Sequence, residues 1–210
     1  MYRSKIELHN VDCLPFMKQC KDKQFDLAIV DPPYGIGNAL VDGGGTRKAK
    51  FDKDRNSVKW DIVPTKEYFE ELFRISKNQI IWGGNYFLDN LPPTRCNLIW
   101  DKMQVFTGSD FELAWTSFDK ASKAFRMSRV EAYSNGKIHP TQKPVKLYEW
   151  LLDNYAKEGD KILDTHLGSG SIAIACHNRG FNLTGFEIDK EYFDNACERL
   201  RVHQSQLTMF

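Results

Sequence analysis

Lys161-Ile162-Leu163-Asp164-Thr165-His166-Leu167-Gly168-Ser169-Gly170-Ser171 is the stretch on which the fold turns. Its first four residues read as a short buried strand, and Ile172-Ala173-Ile174-Ala175-Cys176-His177-Asn178 continues as a helix. Gly168 and Gly170 let the backbone approach a ligand closely at the strand-to-helix turn, where doubly wound sheets hold nucleotide-like molecules. Gly-x-Gly alone is less than a full dinucleotide fingerprint. A second apolar run, Phe181 to Phe186, ends in Glu187-Ile188-Asp189, which places an acid about twenty positions after the glycine turn, where it can accept both hydroxyls of a ribose. Glu187 ends the strand directly and is the candidate. Asp189 suits the N-cap of a helix over 190–200.

Far upstream, the apolar run Phe25-Asp26-Leu27-Ala28-Ile29-Val30 leads into Asp31-Pro32-Pro33-Tyr34. One reading is a turn after a strand, since Pro-Pro is a frequent loop marker. The other is a site, because a strand ending this way brings a carboxylate, a backbone carbonyl and an aromatic ring into one small space. That set suits an exocyclic amine of adenine or cytosine, a poor nucleophile whose lone pair is delocalised into the ring. Hydrogen bonds from the amine to Asp31 and to a proline carbonyl would localise the lone pair as the nitrogen becomes tetrahedral. Pro32 and Pro33 fix φ and stiffen the acceptors, and Tyr34 would stack on a base extruded from its duplex.

Three blocks, Asp31 to Tyr34, His139-Pro140-Thr141-Gln142-Lys143-Pro144, and Asp164 to Gly170 followed by Glu187, occur in an order that resembles the amino-methyltransferases of DNA. The group resembled is the one in which the catalytic tetrapeptide precedes the glycine turn. The resemblance implies S-adenosylmethionine as methyl donor, with Asp31, Pro32, Pro33 and Tyr34 catalytic. It implies a cofactor site of Asp12, Asp31, Thr141, Lys143, Asp164, Thr165, His166, Gly168, Ser169, Gly170 and Glu187. Thr141 and Lys143 would bind the cofactor carboxylate by hydrogen bond and charge; the other reading of their block is a Pro-bounded turn that starts the helix at Val145, with Lys143 solvated. Asp12, after the strand Ile6 to Val11, either accepts from the cofactor's adenine amine or caps a helix. His166 stands where the family often has an aromatic residue, and titration of its imidazole would make cofactor binding pH-sensitive. Asp rather than Ser at the head of the tetrapeptide resembles the adenine-N6 enzymes more than the cytosine-N4 enzymes. An RNA or protein amino-methyltransferase is disfavoured by the block order, and a DNA-binding protein without catalysis by the intact site residues.

The 210 residues suit one α/β domain, 1–210, and their 41% hydrophobic content is ample for its core. Strand and helix alternate, with Thr65 to Ser76 read as a helix and strands at Gln79 to Trp82 and Asn97 to Asp101. Phe111 to Thr116 and Ala124 to Met127 alternate like antiparallel edge strands. The expectation is a doubly wound, seven-stranded, Rossmann-like methyltransferase sheet. No His/Cys spacing suggests a metal site, and five cysteines without a CxxC pair suit reduced thiols in a cytoplasmic protein. The N-terminus opens into a strand without an apolar leader, and no run approaches membrane-spanning length.

Net charge is +1, so its distribution matters more than its sum. Arg47, Lys48, Lys50, Lys53 and Arg55 cluster just after the tetrapeptide, and Lys123, Arg126 and Arg129 cluster downstream. Each cluster is either a solvated face or a set of phosphate contacts on double-stranded DNA. Residues 35–60 begin as a glycine-rich loop, which is either expected to close over the flipped base or is an ordinary disordered surface insertion. Only 101–138 is available for target recognition, and much of it is needed for strands. Short recognition loops or a homodimer follow.

Overall fold

The computed structural model describes residues 4–36, 61–103, 109–134 and 142–207. In chain order the elements are β1 (Ile6–His9), α1 (Cys13–Gln19), β2 (Phe25–Val30), α2 (Lys66–Ile75), β3 (Ser76–Trp82), β4 (Asn97–Asp101), β5 (Phe111–Thr116), β6 (Lys123–Arg126), α3 (Arg129–Ala132), α4 (Val145–Tyr155), β7 (Lys161–Asp164), α5 (Ser171–Arg179), β8 (Asn182–Phe186) and α6 (Lys190–Leu207). The described strands form one sheet in the order β1-β8-β7-β2-β3-β5-β4-β6. From β1 to β3 all neighbours are parallel, and β5 runs antiparallel to both β3 and β4.

The fold class matches the sequence expectation, with eight strands instead of seven. β5 is not an edge strand, because it pairs with β3 on one side and β4 on the other. β6 is the edge, and it lies parallel to β4. The chain does reverse between β5 and β6, but β4 occupies the position beside β5, so the antiparallel hairpin is β4–β5.

β2 shows why its sequence is almost continuously apolar. Leu27 and Ile29 pack with Leu147, Leu151, Ile172 and Ile174 of α4 and α5. Ala28 and Val30 pack on the other face with Met17 of α1 and Phe69, Leu72 and Ile75 of α2. A parallel strand covered on both faces has no polar side to show. Each fully buried Leu or Ile stabilises the sheet by roughly 1.5–3 kcal/mol before entropy is counted.

Helix boundaries follow their caps. Asp12 accepts from Leu14 N at 3.0 Å and starts α1. Thr65 caps α2 through Tyr68 N at 3.4 Å, so the helix read from 65 to 76 begins one residue later and ends one earlier. Asp189 accepts from Glu191 N and Tyr192 N, the capping role its position suggested. Arg74 at the end of α2 donates to the carbonyls of Met17 and Cys20, which closes the end of α1 and ties the two helices.

β7 and β2 are neighbours at the centre of the sheet. From β7 the chain winds through α5 to β8 on one side, and from β2 through α2 to β3 on the other. Their carboxyl ends therefore flank a topological switch point, the place where open α/β sheets leave a crevice.

Candidate active site

A crevice of about 590 Å³, counted with its open mouth, lies at that switch point. Asp31 and Pro33 after β2 line one wall; His166, Leu167, Gly168 and Ser169 after β7 line the other. Glu187, Ile188 and Tyr192 also line the crevice, as do Gln142, Lys143 and Tyr148.

Asp31 is held from both sides. Tyr34 donates its hydroxyl to Asp31 Oδ1 at 2.5 Å, and the Lys143 ammonium pairs with Asp31 Oδ2. Lys143 also pairs with Glu112 Oε2 at 3.2 Å, and Glu112 Oε1 pairs with Lys102 at 3.0 Å. Only 1% of the Lys143 side chain is exposed, and its Nζ lies 5.1 Å from the centre of the Trp82 ring. Burial pushes the Asp31 carboxyl above its ordinary value and Glu112 adds to the rise, while Lys143 and Tyr34 pull the other way. Burial alone would lower Lys143, but Asp31 and Glu112 together hold it above the usual lysine value. Glu112 is lowered despite burial by Lys143 and Lys102.

The glycine turn is braced from behind. Gly168 has φ +51° and donates to Glu187 Oε2 at 2.8 Å, while Asp189 N donates to Oε1 at 2.9 Å. Glu187 thus fixes the turn with one lone pair on each oxygen, which leaves others for a ligand. Arg199 of α6 donates to Ser169 O and Ser171 Oγ, each at 2.9 Å. Gly170 has φ +71°, and a Cβ there would stand 3.0 Å from Ala196 Cβ, so this glycine serves the packing of α5 on α6.

His166 lines the crevice with its ring anchored by a relay: Tyr68 Oη is 2.6 Å from Thr165 Oγ1, which is 2.9 Å from His166 Nδ1. Burial drives the imidazole down to about 4, with Asp12 partly opposing. The ring is therefore neutral across the neutral range, and the pH sensitivity expected of it moves to acid conditions. Asp164, also buried, is pushed up to about 8 and accepts from His166 N at 3.0 Å.

Tyr34 sits in an aromatic nest. Its ring stacks on Tyr86 at 4.8 Å between centres and meets Phe87 edge-on. A Cβ on Gly83 would lie 2.1 Å from Tyr34 Cε1, so the turn after β3 must carry glycine there.

Of the residues expected from sequence, Asp31, Pro33, Lys143, His166, Gly168, Ser169 and Glu187 line the crevice. Asp164, Thr165 and Gly170 lie behind it and support the turn, and Asp12 is an exposed N-cap. Thr141 and the basic residues Arg47, Lys48, Lys50, Lys53 and Arg55 fall outside the described residues, as does most of the loop 35–60. Lys123 and Arg126 lie exposed on β6, with Arg126 3.5 Å from Asp101, and Arg129 begins α3. Sequence reasoning missed Lys102, Glu112, Tyr148 and Arg199. A charge inside the strand Phe111-Glu112-Leu113-Ala114 was the one available hint.

Residues 97–198 match a family model described as DNA methylase. The type II methyltransferase M.HpaI of Haemophilus parainfluenzae is 44% identical over 230 aligned residues, covering 88% of this chain and 70% of that protein. The type II methyltransferase M2.DpnII of Streptococcus pneumoniae is 24% identical over 248 residues, covering 95% and 91%. Among solved structures, the M1.HpyAVI–SAM complex superposes with a TM-score of 0.61 at 20% identity, covering 92% of this chain and 99% of that one. The cytosine-N4-specific PvuII DNA methyltransferase gives 0.63 at 12% identity, covering 97% and 93%. At such identities the two structures speak for the fold, whereas the 44% relative, matched over more than two thirds of its length, speaks for descent. The chain belongs to the N6/N4 DNA methylase family.

Proposed function

We infer that this protein transfers the methyl group of S-adenosylmethionine to the N6 amine of an adenine extruded from double-stranded DNA. The observation that carries the reading is that Asp31, after β2, and the Gly168 turn, after β7, line one crevice. The donor set there fits the cofactor. Glu187 suits a ribose hydroxyl pair, Leu167, Ile188 and Tyr192 suit an adenine, and Lys143 lies beside Asp31. S-adenosylmethionine supplies a methyl carbon already activated by its sulfonium.

The protein's own part is to make a weak nucleophile adequate. Asp31 accepts from the target amine, displacing the Tyr34 hydroxyl from Oδ1, and the Pro32 carbonyl accepts the second N–H. These acceptors stabilise positive charge that develops on the nitrogen. A carboxyl raised by burial is suited to holding the proton that the amine sheds. Tyr34, fixed on one face by Tyr86, offers its other face to the base. Lys123, Arg126 and Arg129 serve as phosphate contacts. β4 to β6 use half of residues 97–126 as sheet, which supports recognition by short loops or by a homodimer. The type II relatives support a place beside a restriction enzyme.

Adenine is favoured over cytosine by Asp at the head of the tetrapeptide. Duplex DNA of mixed sequence, incubated with labelled cofactor, digested and resolved into nucleosides, decides between them: N6-methyladenine is expected, and N4-methylcytosine would move the assignment to the other base. Label in RNA or protein alone would sink the DNA substrate. Asp31→Ala is expected to abolish transfer while DNA binding persists.

A further inference from the structure

Lys143 is nearly sealed from water and paired with Asp31. A carboxylate matched one-to-one with a buried ammonium is electrostatically spent, and it has little left for a nitrogen that turns cationic during transfer. The structure supplies a second carboxylate. Glu112, reaching from β5, takes the same ammonium through Oε2 at 3.2 Å, so that Asp31, Lys143 and Glu112 together carry one net negative charge. Lys102 restores neutrality from the opposite oxygen of Glu112, at 3.0 Å. The order Asp31, Lys143, Glu112, Lys102 alternates in sign, and its first two members line the crevice.

We propose that Glu112 is a positioning residue for methyl transfer, which shares the Lys143 ammonium with Asp31 and so leaves the Asp31 carboxylate free to accept the target amine. The proposal rests on the reading of Asp31 as the amine acceptor. Besides Glu112, the charged and titratable groups that face Asp31 are Lys143, Tyr34, Asp164, Tyr148 and Tyr133. Glu112 is the carboxylate that pairs with both Lys143 and Lys102.

Single-turnover transfer to duplex DNA, followed across pH alongside calorimetric binding of S-adenosylmethionine, tests this with Glu112→Gln, Lys102→Met and the double variant. Glu112→Gln is expected to slow transfer on the order of ten- to a hundredfold, the worth of one charge-assisted bond. Its acid limb should move to lower pH, because Asp31 loses a like-charged neighbour, and cofactor binding should hold. Lys102→Met should move the acid limb to higher pH, and the double variant, which leaves Asp31 matched one-to-one with Lys143, should stay about as slow as Glu112→Gln. A wild-type rate in Glu112→Gln would overturn the proposal, as would a slow rate with an unmoved limb, or a double variant that regains the wild-type rate. Should Glu112→Gln not fold, the limb in Lys102→Met decides alone, and no shift overturns the proposal. Asp31→Asn keeps the two failures apart: full transfer in that variant removes the Asp31 reading and the proposal with it, whereas an inactive Asp31→Asn beside an unaffected Glu112→Gln removes Glu112 only.

Discussion

At the residue scale, the groups legible in the sequence were those whose role is set by near neighbours in the chain. Asp31 and Glu187 each end an apolar run, Gly168 opens a turn, and Asp189 precedes a helix, so local pattern sufficed. Glu112 and Lys143 were opaque in their pairing, because what each touches arrives from another part of the sheet. Asp164, expected in the cofactor site, is a buried carboxyl beside the crevice lining, raised to about 8. Its unfolded value is about 3.9, so the folded state binds the extra proton between the two values. The contribution runs against stability as pH rises: it is absent below about pH 4 and grows to full size near pH 8. Asp164→Asn keeps an acceptor for His166 N without the titration. The melting temperature of the variant, relative to wild type, is expected to climb steadily from about pH 5 to 8. A difference that stays constant over that range would mean that Asp164 is charged in the folded protein.

Helices and central strands were readable at the element scale because burial and caps write themselves into the sequence. β2 is apolar throughout since helices cover both faces, and α1, α2 and α6 begin at Asp12, Thr65 and Asp189. The order of β4, β5 and β6 was not readable. Alternation reveals that a strand has two unlike faces but not which neighbour it takes, so an interior strand and an edge looked alike. The turn after β3 shows an element serving the site from outside the crevice. Gly83 combines φ +70° with contact to the Tyr34 ring, so Gly83→Ala carries both backbone strain and a side-chain clash. A loss of about 1–3 kcal/mol in stability is expected, and transfer should fall further than that because Tyr34 is displaced from Asp31. Cofactor affinity, read by calorimetry, should hardly change. A variant that loses affinity and transfer in equal measure would place Tyr34 at the cofactor rather than at the base.

For the whole molecule, the decisive fact is that the two walls of the crevice come from opposite ends of the chain and meet as adjacent strands. β2 and β7 share a core with α4 and α5 on one face, and β2 shares another with α1 and α2. Neither wall can therefore exist without the sheet that joins them, and the site should melt with the fold rather than before it. A ligand that binds only the folded state raises stability by about 2.7 kcal/mol at a hundred times its dissociation constant. For a chain of this length that corresponds to roughly 5–10 °C in melting temperature. With S-adenosylhomocysteine, an unreactive relative of the cofactor, calorimetry is expected to show one transition moved upward as a whole. Two transitions, with only one moved by the ligand, would show that one half of the sheet folds and holds the ligand without the other, and that the single-domain reading of 1–210 is wrong.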